Sequence, residues 1–270
     1  MQGRPGVCRG VLAETGLDGM HLHHRLTSSS LVLLLQQWAG ADGGQARPDV
    51  AEHLGQWLSA VNAVRLNGAL HSIESYPAQA PEPGRAVDLC ALEGVLEGLL
   101  AELSGLAVAK AAPARAARGR RGAAAAEQID PGAELKFSTH GQRYLGLQKQ
   151  MEARLGTARA QLRHWLAQGS PALRQLAALD AVMEQMLAER EQRLWALLPG
   201  FLEGRLAHWH GLHARRLAES GQEDAPGQWR QPGGWLSAFD QDVRALWQAE
   251  VQVRVLPIMG LLEAARNENR

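Results

Sequence analysis

Three histidines crowd the string Ala207-His-Trp-His-Gly-Leu-His213. On a helix His210 and His213 stand three apart and share a face, so the pair could offer two nitrogen ligands to a metal ion. His208 adds a third imidazole nearby. No carboxylate stands at the spacing that would complete a His-Glu-x-x-His hydrolase motif. The competing reading is a helix surface with partly solvated imidazoles beside a buried Trp209. His21, His23 and His24 form a second group in an N-terminal stretch with little pattern, where order is least expected.

Asp180, Glu184 and Glu191 run along a leucine-rich stretch with Arg190 and Arg193. Glu184 and Glu191 are seven apart, hence near one helix face, and buried paired carboxylates could exchange a proton with a substrate. Such residues are more often a solvated face with i,i+4 partners. Asp180 follows Leu179 at the edge of the apolar stripe, which suits a buried polar contact to a neighbouring helix.

Cys90 adjoins a row of leucines and reads as a small buried hydrophobe, because no activating base for a thiolate is evident. Cys8 is the only other cysteine. A disulfide framework or a four-cysteine zinc site is excluded on count, in keeping with a reducing compartment. Gly-x-Gly-x-x-Gly and the Walker pattern are both absent, and no cofactor is expected. Lys110, Arg115, Arg118, Arg120 and Arg121 could attract phosphate weakly and without sequence preference. No aromatic residues are interleaved to stack on bases, so nucleic acid is not an expected partner.

The elements that must position these groups are helical. The chain of 270 residues is 46% hydrophobic, enough for a proper core, and balances 28 basic against 28 acidic residues. No global field therefore pulls it towards nucleic acid or anionic lipid. Leu, Ala, Gln, Glu and Arg dominate, and no stretch alternates apolar and polar residues at strand period. The longest apolar run, Leu31 to Leu35, is far below the roughly 20 residues of a membrane-spanning helix. No signal segment opens the chain. The expectation is an all-α, soluble, cytoplasmic protein.

Residues 1–26 carry little pattern and read as a disordered or non-native extension, with a functional start near Met20 and residues 1–19 dispensable. An N-terminal helical region follows over 27–106. Thr27–Ser30 can cap a helix bearing Leu31, Leu34, Leu35 and Trp38, and Asp49 can cap a second bearing Val50, Leu54, Trp57, Leu58, Val61 and Leu66. Pro77, Pro81 and Pro83 impose a loop. Leu89, Leu92, Leu96, Leu99, Leu103 and Leu106 then step by three, four, three, four and three residues. That heptad seam presents a narrow apolar stripe to a partner helix, either inside an intramolecular bundle or in another subunit or protein. A unit of this size buries too little to stand alone, which favours a partnered seam.

Residues 107–136 read as a basic, Ala- and Arg-rich linker, mobile over 107–126 and the first site for trypsin. The C-terminal bundle spans 137–270. Its first helix carries Tyr144, Leu147, Met151, Leu155, Leu162 and Trp165 and ends at Gly169–Pro171. A long helix over 172–217 follows, with a kink or break at Pro199–Gly200, then a polar loop over 219–234. The last helix bears Leu236, Phe239, Val243, Leu246 and Val253 and meets Pro257, with a short continuation. Helices of this length with short joins pack as an antiparallel bundle. Eight tryptophans against three phenylalanines add weight to a protein-binding surface, since tryptophan suits sites where one edge meets a partner.

Five strings carry a resemblance through their order along the chain: Glu52-His-Leu-Gly-Gln-Trp-Leu58, Asn67-Gly-Ala-Leu70, Tyr144-Leu-Gly-Leu-Gln148, Leu176-Ala-Ala-Leu-Asp-Ala-Val-Met-Glu184 and Leu261-Leu-Glu-Ala-Ala-Arg-Asn-Glu268. In these the chain resembles a proteobacterial family, the domain of unknown function 3348, from about residue 27 to the end. The resemblance gives no residue a role. It implies gene clusters that encode an inner-membrane proton-channel protein of the flagellar-motor and Tol type with an outer-membrane-protein-A-like partner. The expected function is a non-enzymatic helical adaptor, a cytoplasmic accessory of such an envelope complex, with a protein partner or self-association through the leucine seam. The alternatives are a metal-dependent or acid–base enzyme using His208, His210 and His213 or Asp180 and Glu184, and a weak nucleic-acid-associated factor using the basic linker.

Overall fold

The computed structural model describes residues 29–39, 64, 66–68, 70–71, 87–111 and 131–268, with side chains described to residue 38 in the first of the longer stretches and to residue 106 in the second. Among the described residues there are helices and turns and no strand, so the protein is an all-α helical bundle. None of these helices is long and apolar enough to cross a membrane. The expectations for residues 1–26, for most of the helix from Asp49, for the proline loop and for the arginines of the basic linker lie outside the described residues; at the end of that helix, residues 64 and 66–68 are helical.

Helix α1 spans Ser30–Ala39 and α2 Leu89–Ala111; Asp88 caps α2 by accepting from the Ala91 N–H at 3.2 Å. A short α3, Pro131–Glu134, precedes α4, Phe137–Leu166. α2 thus runs beyond Leu106, and Glu134 is buried, so the expected linker limits of 107–136 are too wide at both ends. α5, Pro171–Trp195, starts with Pro171 in its first turn and Ser170 Oγ accepting from the Leu173 N–H at 3.3 Å. α6 spans Leu198–Ser220, α7 Trp235–Arg254 and α8 Leu256–Glu268.

The long helix expected over 172–217 breaks at Ala196–Leu197, three residues before Pro199, and α7 gives way to α8 at Val255, two residues before Pro257. Both prolines are second residues of the following helix. A proline ring clashes with the carbonyl four residues back, so the preceding helix ends ahead of it while the first turn tolerates the missing N–H. In the loop after α6, Gly221 adopts a left-handed φ of 64° as the helix terminator. Gly234 lies so close to the Trp229 carbonyl that no side chain fits there. That carbonyl accepts from the N–H groups of Leu236 and Ser237, both at 3.1 Å, and so fixes the start of α7.

α4 is the central helix, in contact with α2, α3, α5, α6 and α8. Its stripe Tyr144, Leu147, Met151, Leu155, Ala158, Leu162 and Leu166 is buried, with Trp165 packed against the core from its edge. α1 lies on α6 and α7, and α2 on α4, α7 and α8. One continuous core therefore joins Leu31 of α1 and the leucines of α2 to the C-terminal helices.

This corrects the reading of the leucine seam as an interaction surface. Leu92 and Leu103 have no exposed area, Leu96 and Leu99 are buried, and Leu89 and Leu106 are partly buried against the same core. The heptad spacing is satisfied inside the chain, because the C-terminal helices supply the facing apolar surface. The Trp247 N–H donates to the Leu103 carbonyl at 3.2 Å and Arg266 pairs with Glu93 at 2.7 Å, tying α2 to α7 and α8. The division into a separate N-terminal unit and a tethered C-terminal bundle is not how these helices pack.

Candidate interaction site

Glu250 on α7 has no exposed surface. It stands four residues after Leu246 and three after Trp247, so helical spacing carries it into the core with them. Its carboxylate accepts from the Tyr144 hydroxyl at 2.7 Å, from Gln148 Nε2 at 3.0 and 3.1 Å, and from Arg254 Nη1 at 2.9 Å. A buried carboxylate is tolerable when its oxygens are bonded and a cation neutralises it. Burial, reinforced by the neighbouring Glu250 charge, pushes the Tyr144 hydroxyl far above its ordinary range. It therefore acts as a fixed donor.

The same groups hold the end of α5. Gln148 Nε2 also donates to the Trp195 carbonyl at 3.2 Å, and the Arg254 guanidinium lies 5.2 Å from the centre of the Trp195 ring. Trp195 is thus fixed from α4 and from α7. The residues beside it are bare: Leu194 is 44% exposed and Leu197 61% exposed. The corner between α5 and α6 presents two leucines on a backbone anchored by a buried ionic centre. Sequence reasoning passed over Glu250, Gln148 and Arg254; the available signal was a charge on the apolar face of α7 and an amide four residues after Tyr144.

Asp180 and Glu184, the candidate acid–base pair, face α4. Arg159 donates to both oxygens of Asp180 at 2.8 and 2.6 Å, and Arg163 reaches Asp180 at 3.1 Å and Glu184 at 2.5 Å. Burial works against the Arg159 charge, but the Asp180 hydrogen bonds and charge outweigh it and raise its pKa. The carboxylate oxygens are occupied by guanidinium N–H groups that lock α5 to α4, as the buried polar contact expected of Asp180 requires. Glu191 is exposed, makes no ion pair with these arginines, and adds only its charge to those acting on Arg159. Sequence spacing within one helix cannot reveal arginines arriving from another.

His210 and His213 do share a face, directed at Trp235: the ring centroids are 5.5 and 6.1 Å away. His213 Nε2 is 2.9 Å from Asp224 Oδ1, which also accepts from Trp229 Nε1 at 2.8 Å. Partial burial raises the Asp224 pKa, but the Trp229 and His213 hydrogen bonds prevail and lower it overall. His208 is exposed, with its ring against Trp209. Trp209 is half-buried rather than buried, and its N–H donates to Asp242 at 2.7 Å beside Arg205. Among the described residues no group of three or more His, Cys, Asp or Glu side chains is placed to hold a metal ion. The histidines clasp the loop after α6 to its helix.

Cys90 is exposed, which corrects its reading as a small buried hydrophobe. Of the tryptophans, Trp229, Trp235 and Trp247 are core, whereas Trp38, Trp165, Trp195 and Trp209 sit at its edge.

No curated protein and no solved structure matches the chain. Residues 20–267 match the family described as Protein of unknown function (DUF3348), and the chain belongs to that family.

Proposed function

We propose that this protein is a non-enzymatic helical adaptor that binds another protein through the corner between α5 and α6. The observation that carries this reading is the pairing of bare Leu194 and Leu197 with a rigidly held Trp195. A preorganised apolar feature with an aromatic side chain at its centre is what a protein-binding hot spot needs, because little ordering entropy is lost on docking. Asp180, Glu184 and His213, among the side chains that suggested chemistry, are engaged in bonds between elements, which favours the adaptor over an acid–base enzyme. The family resemblance adds the class of assembly: an envelope complex of the proton-channel type, met from the cytoplasmic side.

Affinity purification from the native cell tests this, with wild-type protein compared with the double variant Leu194→Asp/Leu197→Asp. Both leucines are surface residues, so the variant should keep its thermal midpoint. Partners recovered with the wild type should be lost. Recovery of the same partners by the variant in equal yield would contradict the reading.

A further inference from the structure

We infer that the outer face of α5 from Met183 to the corner at Leu197 takes an amphipathic helix of a different protein, with a carboxylate opposite Arg190. The inference rests on the adaptor reading and names the class of partner. Met183, Leu187, Arg190 and Leu194 step by four, three and four residues, the spacing of a seam that faces one helix, and Leu197 follows in the corner. The face opens along its length: Met183 and Leu187 are partly exposed, Leu194 is 44% and Leu197 61% exposed.

Arg190 supplies the charge argument. Arg159, Arg163, Arg205, Arg230, Arg254 and Arg266 each pair with a carboxylate inside the chain. Arg190 is half-buried, pairs with none of the described carboxylates, and its Nη1 is shut from solvent with no acceptor. A guanidinium so placed gains from an incoming acid more than a solvated one does, since its desolvation has already been met in the free protein. Glu189 lies next to it but is directed to Arg193, at 3.7 Å on the exposed side.

A second copy of the chain fits this face poorly. A parallel pairing sets Arg190 against Arg190 at one level. A two-fold antiparallel pairing that brings Leu187 against Leu194 crowds both Arg190 side chains at its axis. A pairing that avoids this leaves Arg190 facing leucine. An acidic residue on the apolar face of a foreign helix satisfies the charge and the leucines together.

Full-length protein carrying a photo-cross-linking residue in place of Leu197 is irradiated in the native cell, and the linked peptide is identified. The expected product is a single foreign protein, joined on an amphipathic helix with Asp or Glu within a turn of the linked residue. Arg190→Glu should lower the yield about 30-fold or more, the effect of breaking a desolvated ion pair. Changing the partner's acid to Lys should restore it, which separates lost charge pairing from misfolding. No product, a second copy of the chain, or a yield indifferent to the Arg190 charge would overturn the inference. If wild-type protein recovers a partner but cross-links to it only from other surfaces, such as Glu97 on α2, the inference fails while the adaptor reading stands. If no partner is recovered by either method, both fail.

Discussion

The Tyr144 hydroxyl donates to the fully buried carboxylate of Glu250 at 2.7 Å, across 106 residues of chain. With Gln148 and Arg254 the pair fixes the register of α4 against α7 and anchors the end of α5 through Trp195.

Removing the carboxylate leaves a buried arginine, a phenol and an amide without their acceptor. Glu250→Ala should cost about 3–5 kcal/mol. Tyr144→Phe removes one donor and should cost about 1–3 kcal/mol. Urea denaturation of both variants measures the difference. A Glu250→Ala variant within about 1 kcal/mol of wild type would show that the centre contributes little.

The two candidate acid–base residues should separate by burial. Asp180 has 11% side-chain exposure and takes three arginine hydrogen bonds, whereas Glu184 is 34% exposed. Asp180→Ala should destabilise by about 2–4 kcal/mol and Glu184→Ala by about 1 kcal/mol or less. The reverse order in chemical denaturation would contradict the assignment of Asp180 as the lock between α4 and α5.

Asp240 gives a pH dependence of defined sign. Burial raises its carboxyl pKa above the ordinary range, outweighing the lowering charges of Arg230 and His140. Its folded value lies above the unfolded value of about 3.9, so its contribution to stability is full below that pH and is lost as pH rises through the folded value. Asp240→Asn should therefore gain on wild type as pH rises from about 4 to neutrality, in thermal midpoints measured across that range. A variant that falls further behind as pH rises would reverse the sign.

The leucine seam shows what was legible and what was not. The spacing from Leu89 to Leu106 announced a helix with one apolar stripe, and such a helix is present. It did not announce the facing surface, because a heptad specifies that a partner exists and is silent on which chain provides it. For the same reason Arg159 and Arg163 could not be foreseen as partners of Asp180. Glu250 was legible in principle, as a charge spaced onto the apolar face of α7. The corner at Leu194 and Leu197 was not, since Leu194 falls on the outward face of α5 and Leu197 in the turn ahead of Pro199, and spacing alone does not say which apolar side chains the neighbouring helices cover. Leu103→Asp puts a charge at a position with no exposure, so it should cost about 5 kcal/mol or more and unfold the C-terminal helices with α2. Retained C-terminal helicity by circular dichroism would instead support two separable units.

Hydrogen–deuterium exchange of the full-length protein, alone and with its co-purified partner, tests the central claim most directly. The adaptor reading predicts slowed exchange on binding at the end of α5 and the start of α6, over residues 187–200, with α2 and the loop after α6 unchanged. Protection confined to α2 or to that loop, with 187–200 unaltered, would place the interaction elsewhere and contradict it.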